Sequence, residues 1–167
     1  MLYLLDANVI ITAKDSYYAI DQVPEFWEWL VDQGEQDNLK VPRELLDEVS
    51  PGRDKVHPFF AWRKDKTTIE ALLLGEAVDP TVLQRVLDEG YGENLNDDEL
   101  ITIGADPFLV AYSLAKPERT VVTTEVSRPG ARRQNRKLPD VCDQFGVPRI
   151  NTFQMTRALG WKTNWKP

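Results

Sequence analysis

Leu2-Tyr3-Leu4-Leu5 opens the chain as four apolar or aromatic residues without a polar break, and Asp6 follows at once. An unbroken run of this length suits a strand buried on both faces, the habit of parallel sheets covered by helices. In an open parallel α/β sheet, ligands and chemistry collect at the carboxyl ends of the strands. Asp6 therefore reads as a carboxylate at the end of a first, central strand. Three further acids, Glu48, Asp106 and Glu125, are the candidates to converge on it.

The rest of the chain alternates between strand and helix patterns. Leu39-Lys40-Val41, Thr120-Val121-Val122-Thr123 and Pro148 to Asn151 read as short strands, the second β-branched enough for a central position. Ala7 to Ala13 is a short helix and Asp15 to Val23 a loop. Pro24 to Gln33 is a helix with proline in its first turn and Gly34 just past its end. Phe26, Trp27, Trp29 and Leu30 give it an apolar face, with Trp27 able to point either way. Helical spacing recurs at Arg43 to Val49, after Pro58, from Thr67 to Gly75 and from Pro80 to Glu89. It returns after a cap at Asn96 or Asp97, from Phe108 to Ala115, from Asp140 to Phe145, and after a cap at Thr152. This alternation implies a three-layer α/β/α fold around a central parallel sheet of about four to five strands, with right-handed crossovers. No repeat, low-complexity tract or linker divides residues 1–167, which reads as a single domain.

Composition narrows the chemistry. One histidine, His57, and one cysteine, Cys142, leave no ligands for a zinc finger or a His/Cys cluster. Any metal must take oxygen ligands, which points to Mg²⁺, Mn²⁺ or Ca²⁺. The single cysteine forms no intramolecular disulfide and suits a reducing cytoplasm; within its apolar helix it reads as buried rather than reactive. No stretch approaches the ~20 apolar residues of a membrane span, and Leu2 to Leu5 is too short for a signal peptide. The net charge of −7 argues against nucleic acid at first sight. Its distribution argues the other way. Arg128, Arg132, Arg133, Arg136 and Lys137 fall within ten residues holding no acid, and the remaining 15 cations face all 27 acids. Such a loop is either a solvated connection, a grip on the phosphate backbone, or a dock for an acidic partner.

Each acid also has an ordinary reading. Asp6 and Asp106 suit helix N-caps, Glu48 a solvated helix face, and Glu125 a loop. Placement favours more, because Asp6 and Glu125 follow strand ends, Glu48 lies on the helix after another strand, and Asp106 begins a helix. Leu-Leu-Asp6-Ala-Asn8-Val-Ile-Ile resembles the opening motif of the PIN-domain nucleases. Val41-Pro-Arg-Glu44-Leu-Leu-Asp47-Glu48-Val is similar to their second motif, and Ala105-Asp106-Pro-Phe-Leu-Val-Ala111 to their third. Val121-Val-Thr123-Thr-Glu125 resembles their Thr-x-Asp strand end, with Glu in place of Asp. The matches span nearly the whole chain in the family's order and lie closest to small prokaryotic, VapC-like toxins.

The resemblance implies a PIN-like fold and a Mg²⁺- or Mn²⁺-dependent endoribonuclease, the toxin of a type II toxin–antitoxin pair, with a cognate antitoxin and a homodimeric form. It makes Asp6 and Asp106 direct metal ligands. Glu48 and Glu125 would bind through water or place the attacking water. Asn8 would hold Asp6 or a phosphate, and Thr123 would orient Glu125. Glu44, one turn before Glu48 on the same face, competes for the ligand role. Asp140 approaches the same pocket or caps its own helix. Asp97, Asp98 and Glu99 read as a solvated helix start, and Trp161 and Trp165 as exposed aromatics able to stack on bases. The alternative is a non-catalytic PIN-like module that binds RNA or protein, its site degraded at Glu125. A phosphotransfer enzyme or receiver domain is disfavoured by the Asp-Ala-Asn opening, and a P-loop by the lack of a Gly-rich motif.

Overall fold

The computed structural model describes residues 1–166. Its centre is a four-stranded, all-parallel sheet in the order β2-β1-β3-β4. The strands are β1 (Leu2–Leu5), β2 (Leu39–Lys40), β3 (Arg119–Val122) and β4 (Arg149–Ile150). β1 is an inner strand, and Tyr3, Leu4 and Leu5 are buried, as an unbroken apolar run requires. After β1 comes α1 (Ala7–Thr12), then α2 (Pro24–Glu35), and after β2 come α3 (Arg43–Glu48), α4 (Pro58–Lys64) and α5 (Lys66–Leu72). The long crossover continues through α6 (Pro80–Arg85), α7 (Asp97–Ile103) and α8 (Asp106–Leu114) into β3. α9 (Leu138–Phe145) links β3 to β4, and α10 (Thr152–Ala158) follows β4. The result is a three-layer α/β/α arrangement with helices against both faces of the sheet.

The differences from the sequence reading lie at helix ends. α2 runs to Glu35, so Gly34 lies inside it rather than beyond it. A Cβ on Gly34 would stand 2.7 Å from the carbonyl oxygen of Ala71, so glycine here lets α2 and α5 meet backbone to backbone. Trp27 settles inward, and Phe26, Trp27 and Trp29 are each about 1% exposed. Full burial of such side chains stabilises by roughly 1.5–3 kcal/mol apiece. α5 stops at Leu72, because Leu73 turns extended and bridges Val41 in parallel. Two π-helical turns, Ala13–Tyr17 and Val86–Tyr91, prolong α1 and α6, the first into the stretch from Asp15 read as a loop, the second just past the Glu89 end of the helix read there. Asn96, not Asp97, caps α7 in a capping box with Glu99, and Asn151, not Thr152, caps α10 with Gln154. No helix among the described residues is long and apolar enough to cross a membrane.

Candidate functional site

The sheet register explains why the first acids meet. Leu5 on β1 lies beside Val122 on β3, so Asp6 and Thr123 leave adjacent parallel strands at the same level. The Asp6 backbone N–H donates to the Val122 carbonyl at 2.9 Å, and the Thr123 hydroxyl donates to Asp6 Oδ2 at 2.7 Å. Thr123 Oγ1 in turn accepts from the Glu125 backbone N–H at 3.0 Å. Thr123 therefore positions both acids. Asp6 also caps α1 by accepting from the Asn8 N–H at 3.2 Å, so Asn8 holds it through the backbone. The capping reading of Asp6 is realised.

Glu48 comes in from the end of α3. Its Oε1 accepts from the Ala105 N–H at 2.9 Å, just ahead of α8. Gly104 makes room for it: φ is +64°, and a Cβ there would stand 2.9 Å from Glu48 Oε1. Glu44 goes elsewhere, towards the Tyr112 hydroxyl at 3.5 Å, with its other oxygen buried and unpaired. Glu48, not Glu44, joins the cluster. Asp106 is the first residue of α8 and caps nothing, since the cap is Ala105 without a side-chain bond. Its helix N-terminal position instead favours a carboxylate.

Glu125 is tied on both oxygens. Leu138, the first residue of α9, donates its N–H to Oε2 at 3.0 Å, and Lys137 Nζ lies 3.3 Å from Oε1. Two glutamates thus hold the backbone donors at the N-termini of α8 and α9, a role no local pattern reveals. Asp140 neither caps α9 nor lines the acidic pocket: it accepts from the Ser127 hydroxyl and, at 2.7 Å, from the Arg128 N–H. Glu125 and Asp140 clamp the two ends of the basic loop together.

The electrostatics follow from crowding and burial. Loss of solvent pushes the Asp6 carboxyl up to about 6, against the lowering bonds from Thr123 and Asn8, with Glu125 and Glu48 adding repulsion. Asp106 is pushed well above the ordinary range, first by burial, then by Asp6, Glu125 and Glu48; the charge of Lys137 opposes this. Tyr91, at the end of the second π-helical turn, was not singled out in the sequence. Its hydroxyl is buried without a partner, and burial, then Asp106, drives its phenol far up.

A cavity of about 200 Å³ joins the acids to the basic loop, lined by Asp106, Glu125, Arg128, Arg136 and Lys137. The loop is not a row of free cations. Arg133 makes a two-pronged bond to Glu99, whose carboxyl falls to about 2 as a result. Arg136 bonds the Gly90 carbonyl and Gln144, and Lys137 faces Glu125. Glu99 is therefore an anchor of the loop rather than only a solvated helix start. Trp161 packs against Tyr18, Phe26 and Trp29, and Trp165 donates to the Glu25 carbonyl at 3.1 Å, so both are half-buried rather than exposed. Cys142 is fully buried.

The donor set suits a hard divalent cation, being all carboxylate oxygen with mutual repulsion to relieve. Among the described residues no three His, Cys, Asp or Glu side chains come together as ready ligands of one ion. Glu125 is bonded on both oxygens and Glu48 on one, while each Asp6 oxygen accepts a single bond, so Asp6, Glu48 and Asp106 keep lone pairs that could serve such an ion directly or through water. That arrangement fits Mg²⁺ or Mn²⁺, which keep several waters. No curated protein and no solved structure shows significant similarity to the chain. Residues 3–163 match the family model described as "Domain of unknown function (DUF4411)", and the chain belongs to that family.

Proposed function

We propose that this protein is a PIN-like, divalent-metal-dependent endoribonuclease. The observation that supports the reading is that Asp6 leaves the carboxyl end of β1 bonded to Thr123, which also holds Glu125, and that Glu125 and Asp106 line a cavity shared with Arg128 and Lys137. Asp6 and Asp106 would hold Mg²⁺ or Mn²⁺, which supplies a water acidic enough to attack a phosphodiester and steadies charge on the leaving oxygen. Thr123 fixes the Asp6 carboxylate, while Glu48 and Glu125 place water around the cluster. Arg128, on the cavity wall, holds the phosphate, and Arg132 extends the grip along the strand, while Arg133 and Arg136 brace the loop. The setting we attach to this activity rests on the motif resemblance alone: a cytoplasmic toxin, homodimeric, silenced by a cognate antitoxin.

Cleavage of structured and single-stranded RNAs with Mg²⁺, Mn²⁺ or EDTA tests the reading. Wild type should cut only with metal, and Asp6→Asn and Asp106→Asn should each lose at least roughly a hundredfold, the scale of removing one charge-stabilising group. Equal cutting by all three proteins would defeat it. The tethering of both Glu125 oxygens favours one second reading, a non-catalytic RNA-binding module. Tight RNA binding without metal-dependent cleavage would select that one.

A further inference from the structure

Lys137 sits where the acidic cluster most needs a positive charge. Its Nζ is 3.3 Å from Glu125 Oε1 and it lines the same cavity as Asp106, whose carboxyl its charge draws down. Glu125 is only 19% exposed in its side chain, so this pair is better shielded from solvent than an ordinary surface pair, although Lys137 itself is 40% exposed. The neighbouring Leu138 N–H fixes the other Glu125 oxygen, which presents Oε1 to the lysine. Of the other loop cations, Arg133 is held by Glu99 and Arg136 by Gly90 and Gln144, and none but Lys137 bonds Glu125.

Resting on the proposed metal-dependent reading, we infer that Lys137 is the resident counter-cation of the acidic cluster, holding the site of the divalent ion through Glu125 until metal displaces it. Metal on Asp6 and Asp106 and ammonium on Glu125 would compete by charge, since each neutralises the same group of acids. Displacement frees Lys137 to turn into the cavity, where an incoming phosphate needs a cation. The chain would then couple metal loading to phosphate affinity, each favouring the other, as linkage demands. Lys137 is in this sense a positioning residue, acting through Glu125.

The sign of one measurement separates this from a merely structural lysine. Mn²⁺ binding to the full-length protein is measured without RNA, by the loss of the free-ion paramagnetic resonance signal. The proteins are wild type, Lys137→Met, Lys137→Arg, Arg128→Met and Asp106→Asn. If Lys137 competes with metal, Lys137→Met binds Mn²⁺ roughly three- to tenfold tighter, the yield of releasing one partly shielded pair. Lys137→Arg stays close to wild type. A lysine that only braces the loop predicts the opposite, weaker binding in Lys137→Met. Unchanged or weaker binding there overturns the inference and leaves the nuclease reading standing. So does an equal gain in Arg128→Met, which would mean general charge removal. Full-strength Mn²⁺ binding by Asp106→Asn, or none by any protein, overturns the metal site itself.

Discussion

Asp6 shows how one residue serves fold and site together. It caps α1, receives the Thr123 hydroxyl and carries a carboxyl raised from 3.8 to about 6 by burial. A raised acid binds its proton more tightly folded than unfolded, so its stabilising contribution is full below about pH 4 and lost as pH climbs through about 6. In the metal-free protein, Asp6→Asn should therefore gain on wild type between pH 4 and pH 7 by up to about 3 kcal/mol, at 1.36 kcal/mol per pKa unit. Urea unfolding at the two pH values reads this directly, and a constant gap between the proteins would refute it. Saturating Mn²⁺ should close the gap at pH 7 by stabilising the folded wild type. Tyr91 makes a second case. Its hydroxyl is buried without a partner, and leaving a polar group so costs about 1–3 kcal/mol. Tyr91→Phe should raise the melting temperature; a drop would mean the hydroxyl has a partner in solution.

Between elements, closeness of backbones decides more than side-chain volume. α2 meets α5 through Gly34, with the Ala71 carbonyl in the path of any added Cβ. Gly34→Ala must push the helices apart, and overpacking of this kind typically costs about 1–3 kcal/mol. A lowered urea midpoint with an unchanged m-value is the expected result. The basic loop is an element of the same sort, fixed by Glu125 and Asp140 at its ends and by Glu99 on α7. Glu99→Gln removes the two-pronged acceptor of Arg133, so amide exchange across residues 128–137 should speed up while β1 and β3 stay protected. Equal exchange in both proteins would show that the end clamps suffice.

Over the whole molecule, charge is segregated. A chain of net −7 keeps five cations in residues 128–137, beside a cluster of carboxylates. RNA binding by such a surface should be local and steeply salt-dependent, with a slope of about −0.7 per neutralised phosphate for single strands. Arg132→Met should shallow that slope by about 0.7 and weaken binding alike across RNA sequences. An unchanged slope would remove Arg132 from the contact surface.

The alternation of apolar runs was enough to read the α/β class, the parallel sheet and the inner position of β1, because a four-residue strand buried on both faces admits few other solutions. The register then brings Asp6 and Thr123 together at adjacent strand ends, whereas the sequence placed Asp6 and Glu125 after strand ends and offered Thr123 only to Glu125. Helix ends were less legible. The π-helical turns and the extension of α2 past Gly34 come from packing, which overrides local stop signals. The choice of Glu48 over Glu44 turned on Gly104 and the Ala105 N–H, 57 residues away from Glu48 in sequence. Likewise only the folded chain brought Lys137 and the α9 N-terminus onto Glu125, and Arg133 onto Glu99. Local periodicity carries the burial pattern that selects the sheet, whereas the partner of a buried charge is selected by whichever donor the tertiary fold delivers to it.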